Sequence, residues 1–480
     1  MSARRLSPTC RRLSVLCLAL LATGVAQAQR VVVSQEVTLD DDNRYELFAG
    51  PDASCILYRD DNKGIELEAY GPDMTRLWQR ELTLDKGRPS PIGALVADGE
   101  VVVFYTYRKD RGVYLKMHRY SGTGNLTDSL TVTKLEGEFL TQAYRLDYDA
   151  DGRYAVFTHQ RDARRWLAIG VEVATGRLLY AESVALEASP TIYPDEVSEP
   201  YVGPRGGLYL WTQRDNRRSR LESHAVTVVR VNVDGSVERL TISLPELLIY
   251  ALRIGVDEAN ERVTLAGYYA DDPDEAAGVV AISVPYELQG DARVIRSPFS
   301  AALVASVDPK DRRPEGIPDL TALDLIFRRD GAVLVVGEQR RATIRTVGGR
   351  GGTFGTTMKT DYLYEDIVLS VVGTADGAGD WHEVLPKKQF SQDDGGAFSG
   401  YSRALTPSAL RLIYNDEVRS GGTVSAYTLN GVGVIERQSV MNTEYQDLWL
   451  RHEAGIQLSG AEMVIPSERR NRLRLVRLTF

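Results

Sequence analysis

An all-β fold of repeated four-stranded units is predicted by three observations. Beyond residue 29, apolar residues recur at period two or in short runs rich in Val, Ile, Leu and Tyr, with turn residues between them. The pattern repeats. IGALVADGEVVVFYTYRKDRGVYLKMHRYSGTGNLTDSLTVTKL breaks at Asp98-Gly99, Asp110–Gly112 and Ser121–Gly124 into four strands, and YRLDYDADGRYAVFTHQ and RIGVDEANERVTLAGYY open further units of the same kind. The ends also complement each other. Leu448 to Phe480 holds only three strand candidates, while RVVVSQEVTL (30–39) is a strand with no unit of its own.

First strands fall near residues 45, 91, 143, 199, 250, 321, 401 and 448. Four antiparallel strands of ordinary length plus turns occupy about 40 to 50 residues, the size of a propeller blade. The expected architecture is therefore a single-domain β-propeller over 29–480, with eight four-stranded blades and the N-terminal strand completing the last. Seven blades follow if the long region 250–400 is one blade with inserts. Such a ring hides the edges that an open sheet exposes. Two packed β-sandwiches would need a Pro/Gly/Ser-rich linker near the middle. The richest such stretch, Asp308–Pro318, lies off centre between units of one type and reads as a loop between the fifth and sixth blades.

Residues 1–28 read as a secretory signal. Arg4, Arg5, Arg11 and Arg12 precede the apolar run Leu13–Ala22, and Ala26-Gln27-Ala28 supplies a cleavage site. The apolar run is too short for an anchor, and no later segment is long and apolar enough to span a membrane. The formal charge is −9, and the signal carries four Arg and no acid, so the mature chain stands at −13. A soluble acidic chain of this kind is a poor nucleic-acid binder. Cys10 and Cys17 leave with the signal, stranding Cys55 in the apolar run SCILY as a buried structural thiol. The core must then hold the fold without disulfides.

Catalytic signatures are sparse. Asp147, Asp149 and Asp151 followed by Gly152 resemble the start of a calcium loop, yet Thr158 stands where a bidentate Glu is expected and Asp-Gly is an ordinary turn signal. Both readings, weak calcium site and plain turn, stay open; no other cofactor is expected. His118, His159, His224, His382 and His452 do not approach metal-ligand spacing. No nucleophile elbow, S-x-x-K pair or Walker A occurs. Gly348–Gly355 is Gly-rich without a phosphate-binding Lys-Ser/Thr. Arg214/Arg217/Arg218/Arg220 and Arg469/Arg470/Arg472 read as solvated turns or strand edges. Asn125-Leu-Thr127 matches a glycosylation acceptor, a motif too common to weigh.

The stretch 361–401 departs from the repeat. Tyr362 and Tyr364 alternate on one strand face, and Trp381, Lys387, Lys388, Gln389, Asp393 and Asp394 follow. Flat rings beside amides, ammoniums and carboxylates could bind a sugar or peptide; the competing reading makes the rings inter-blade core. Asp393 and Asp394 are adjacent, so on a strand they face opposite ways and cannot act as an acid/base pair. DYLYEDIVLSVV, the run W-x-x-x-L-P-K-K-Q-x-S-x-D-D-G-G-x-x-S-x-Y and the ending VIPSERRNRLRLVRL resemble a family of exported bacterial β-propeller proteins of unassigned activity. The resemblance covers mainly 360–480. It implies a secreted propeller and supplies no catalytic residue.

Two function classes follow. One is an exported, non-catalytic binding or scaffold protein of the cell envelope, monomeric, with a glycan, peptide or envelope protein as partner. The other is a propeller-type glycoside hydrolase or polysaccharide lyase whose carboxylates come from different blades. Converging acids in the central channel favour the enzyme, and an aliphatic plug the scaffold. The inserts Ser300–Pro318, Ala342–Lys359 and Trp381–Gly400 belong to two consecutive long units and are expected to rise together over one sector as the binding surface.

Overall fold

The computed structural model describes residues 30–480 except 40–43, 62–63, 86–88, 141–142, 163–164, 187–194, 215–222, 246, 271–274, 308–315, 349–355, 374–378, 419–421 and 444–446. The segment 1–28 expected to be a signal, most of the Asp308–Pro318 loop, most of Gly348–Gly355, and Arg217, Arg218 and Arg220 lie outside the described residues.

Eight antiparallel sheets follow one another along the chain: 44–81, 90–135, 145–185, 195–245, 248–298, 320–392, 402–442 and 456–479. They are blades 1 to 8. The first strands of neighbouring blades touch one another around a ring, which places them at the axis and the fourth strands at the rim. A separate two-stranded ribbon pairs Glu275–Ala276 with Ile317–Pro318. Blade 8 is completed from the other end of the chain: Arg30 to Val33 pair with Thr479 to Val476, and Val37–Thr38 continue onto Leu473 and Arg472. Both the eight-blade count and the closing strand are as the sequence predicts.

The core explains why the middle strands read as unbroken apolar runs. Eight hydrophobic clusters fill the eight gaps between successive blades. A middle strand is buried on both faces, so each side of its period-two alternation is apolar. In blade 2, Val101 and Val103 pack toward blade 1, while Val102 and Phe104 pack toward blade 3. Each such side chain contributes about 1.5–3 kcal/mol of burial. Cys55 is wholly buried in the gap between blades 8 and 1. The tight turn Asp98-Gly99 has positive φ at both residues, the geometry that favours Asp-Gly in a two-residue hairpin.

Blade 6 breaks the plan. Its second and third strands, Val333–Gly348 and Thr356–Val372, pair over their whole length, but its first strand ends its pairing at Leu320↔Gln339. Residues 340–348 and 356–364 therefore project as a hairpin arm from the face where the innermost strands begin, by about 30 Å at strand rise. Gln389–Gln392 adds a short strand to its base, pairing with 361–364.

Candidate functional site

Five consecutive blades each place a charged side chain along their inner edge, on the innermost strand or, for Glu199, in the link between its two segments 195–197 and 201–202, and these side chains link blade to blade. Arg145 Nε lies 3.0 Å from Asp147 Oδ1, and Arg145 Nη1 lies 3.5 Å from Glu199 Oε1 in blade 4. Glu199 Oε2 receives Arg253 Nη1 of blade 5 at 3.2 Å, and Arg253 Nε donates to Ala322 O in blade 6 at 3.0 Å. Asp324 of blade 6 accepts from Arg403 Nη1 of blade 7 and from the Tyr401 hydroxyl, each at 2.8 Å. Burial beside that carboxylate pushes the Tyr401 phenol well above its usual range. Exposed pairs of this type contribute only about 0–1 kcal/mol each. Their main effect is to hold polar groups in fixed positions around the channel.

Two adjoining cavities open along this belt, sharing Arg253, Leu323, Asp324 and Arg403. The inner one is about 380 Å³ and also takes in Ile254, Leu325 and Phe327. The outer one, at the mouth, is about 480 Å³ and includes Arg340, Tyr401, His452 and Glu453. Arg340 stands at the base of the arm, its guanidinium 4.6 Å from the centre of the Tyr364 ring and 2.5 Å from Glu453 Oε1. The mouth therefore joins channel and arm.

Behind the mouth lies a closed polar network. Lys387 Nζ is 2.7 Å from Glu338 Oε1, and the other Glu338 oxygen is 2.5 Å from Arg340 Nε. Lys387 also donates to Gln389 Oε1 at 2.7 Å and to Tyr364 O at 3.2 Å. Burial pushes the Lys387 ammonium pKa down, and Glu338 opposes that shift. Gln389 in turn donates to Asn415 O and accepts from Gly400 N. Asn415 gives its amide protons to Phe398 O and Leu450 O, so its oxygen accepts from His452 Nε2 at 3.0 Å. Burial holds His452 near a pKa of about 3.

The residues singled out in 361–401 therefore divide. Tyr362 and Tyr364 are half-exposed on the arm, on the face that carries Arg340, since Arg340 pairs with Tyr364 and Ala342 with Tyr362. Lys388 is exposed and 3.7 Å from Glu365. Lys387 and Gln389 are not surface contacts: each is buried, because the short strand 389–392 closes over the arm's base. Trp381 is not in the same cleft. It pairs with Val371, seven residues along the strand from Tyr364 and thus about 23 Å away, and packs into the core between blades 6 and 7. Asp393 and Asp394 hold backbone of the arm strand and of the following loop, accepting from Thr360 N at 2.8 Å and from Gly396 N at 3.0 Å. The first and third inserts meet at the rim, where the helix Ala301–Val307 packs against Trp381–Leu385, the outermost strand of blade 6, while Gln389–Gln392 of the third insert lies at the base of the arm.

The Asp147–Asp151 run forms a turn in which Asp147 is held by Arg145 while Asp149 and Asp151 share Arg153. Asp147 meets Arg145, Asp151 meets Arg153 at 3.0 Å, and buried Asp149 accepts from Tyr154 N at 2.7 Å. Among the described residues no group of three or more His, Cys, Asp or Glu is gathered as a metal site. The belt residues Arg145, Glu199, Arg253, Asp324, Arg340 and Arg403 went unnoticed in the sequence. The available signal was one charge of alternating sign in the first strand of successive units.

No family model matches the chain, and no curated protein does. Solved structures similar to it include a europium-containing methanol dehydrogenase (10% identity, 94% of this chain and 93% of that one, TM-score 0.44). A periplasmic gluconolactonase of Pseudomonas aeruginosa shares 14% identity over 82% of this chain and 95% of its own, TM-score 0.36. The β-propeller domain of the trilobed protease from Pyrococcus furiosus, described as having an open velcro topology, shares 9% identity over 84% and 97%, TM-score 0.36.

Proposed function

We propose that this is an exported binding protein of the cell envelope that takes a carboxylate-bearing glycan or peptide at the channel mouth. The observation that carries the reading is the pairing of the channel acids: Asp147, Glu199 and Asp324 each face an arginine, two of them across a blade boundary. Glycosidic chemistry asks for two carboxyls across a substrate-sized gap, one of them protonated. Glu199 and Asp324, committed to guanidiniums of neighbouring blades, are poorly placed for either role, while burial raises the pKa of Asp147 against the pull of its own Arg145. Around the mouth, Arg253, Arg340 and Arg403 line the cavity together with Asp324 and Glu453, and Glu199 and Glu338 hold Arg253 and Arg340 in fixed positions from behind. Guanidinium forks suit a ligand carboxylate, and the apolar wall of Leu323, Leu325 and Phe327 suits the body of a sugar or side chain.

The test is a titration of the mature protein with uronate-containing against neutral oligosaccharides, and with peptides bearing free or amidated C-termini. Acidic ligands should bind better, and Arg403→Gln or Arg253→Gln should weaken them about tenfold. Equal binding of neutral and acidic ligands, or release of cleaved product, would contradict the reading.

A further inference from the structure

The end of blade 8 carries a cationic cleft, apart from the residues that line the channel. Strands Glu462–Arg469 and Arg472–Thr479 meet at a tight turn in which Arg470 and Asn471 both have positive φ. The register sets Arg469 opposite Arg472 and Ser467 opposite Arg474, and directly paired residues share a face. One face of the hairpin end therefore presents three guanidiniums and a hydroxyl. Like charges directly opposite one another destabilise a sheet unless an anion relieves them. Together with Arg470 these groups line a cleft of about 290 Å³ that also contains Glu36 and Asp447.

The two acids are already committed. Glu36 is held at 3.0 Å by both Arg472 and Arg474, and Asp447 pairs with Arg469. Donors remain in excess. Arg470 is exposed and has no acceptor among the described residues. Ser467 is 4% exposed; its oxygen accepts from Trp449 N at 2.8 Å, and its own proton has no acceptor among the described residues. Among the described residues, four arginines against two carboxylates leave two positive charges, in a mature chain of net −13.

We propose that this cleft binds a dianionic tetrahedral oxyanion, a phosphoryl or sulfuryl group, through Arg470, Arg472 and the Ser467 hydroxyl. The charge matches a dianion, and guanidinium forks bond two of its oxygens at once. Because Glu36 lies on the N-terminal segment that closes the ring, an occupied cleft would also tie that segment to blade 8.

Trp449 provides the readout, since the Arg469 guanidinium sits 5.6 Å from its ring centre. The mature protein is titrated with sodium phosphate, sodium sulfate, or chloride at matched ionic strength, following fluorescence with Trp449→Phe as the blank. A second arm uses phosphatidylcholine vesicles with and without phosphatidic acid, to separate a lipid headgroup from a free anion. A saturable response to phosphate or sulfate, weakened about tenfold or more in Arg470→Gln and abolished in Arg470→Gln/Arg472→Gln, supports the proposal. Capture only by phosphatidic acid vesicles, lost in the same variants, supports it with a headgroup as the source. The exposed control Arg177→Gln should change nothing. No saturable response in either arm overturns the proposal, as does a response that survives in a folded double variant. Carboxylate binding at the channel mouth should be unaffected throughout, so the two sites fail or stand separately.

Discussion

Lys387 Nζ lies 2.7 Å from Glu338 Oε1, and neither side chain reaches solvent. This pair joins the short strand over the arm's base to the blade beneath it. Removing one partner of such a pair leaves the other buried and short of a counter-charge, at a cost of about 3–5 kcal/mol. Arg340 still holds the second Glu338 oxygen, so Lys387→Met is expected near the lower end, read by urea unfolding. Lys387→Met/Glu338→Leu should recover most of the loss. A neutral single variant would mean that Arg340 alone neutralises the carboxylate.

His452 gives the fold an acid sensitivity. Its pKa is held at about 3 by burial, against an ordinary 6.5, so the unfolded chain binds the proton more readily than the folded one. The associated stability is fully present above pH 6.5 and is lost as the pH falls toward 3, by about 5 kcal/mol at most. His452→Gln should be less stable than the parent at pH 7.5 and approach it near pH 4. Parallel stability curves across that window would refute this origin.

Cys55 is wholly buried, and burial pushes its thiol up to about 12. In a chain lacking residues 1–28 it should resist a thiol reagent under native conditions and react at the rate of global unfolding in denaturant. Fast native labelling would show that the gap between blades 8 and 1 opens locally.

The outer arm should be dispensable for folding. Arg341 to Thr346 are exposed, as are Ile344 and Met358 at 68% and 73%. Replacing 343–361 by Asn-Gly joins Ala342 to Tyr362 across their existing register. The melting temperature should stay within about 4 °C of the parent, because little core is removed. A collapse in stability would place the arm among the folding elements.

The fold was largely legible because blade geometry repeats. First strands expected near 45, 91, 250, 321 and 401 begin at Arg44, Ser90, Leu248, Leu320 and Ser402. The site was far less so. Trp381 and Tyr364 are close in sequence, but a 17-residue strand sends them to opposite ends of one blade. Lys387 and Gln389 look like solvated polar residues until the strand 389–392 is seen to close over them. Arg253 or Asp324 alone resembles ordinary alternation on a strand. Only the stacking of consecutive blades brings them together.

Hydrogen exchange followed by mass spectrometry tests the central claim most directly, using the acidic ligand that binds best in the titrations. Binding at the channel mouth predicts protection concentrated in the innermost strands at 248–257, 320–327 and 402–405 and at the arm base near Arg340, with the rim strands unchanged. Protection confined to the rim, or none at saturating ligand, would contradict it.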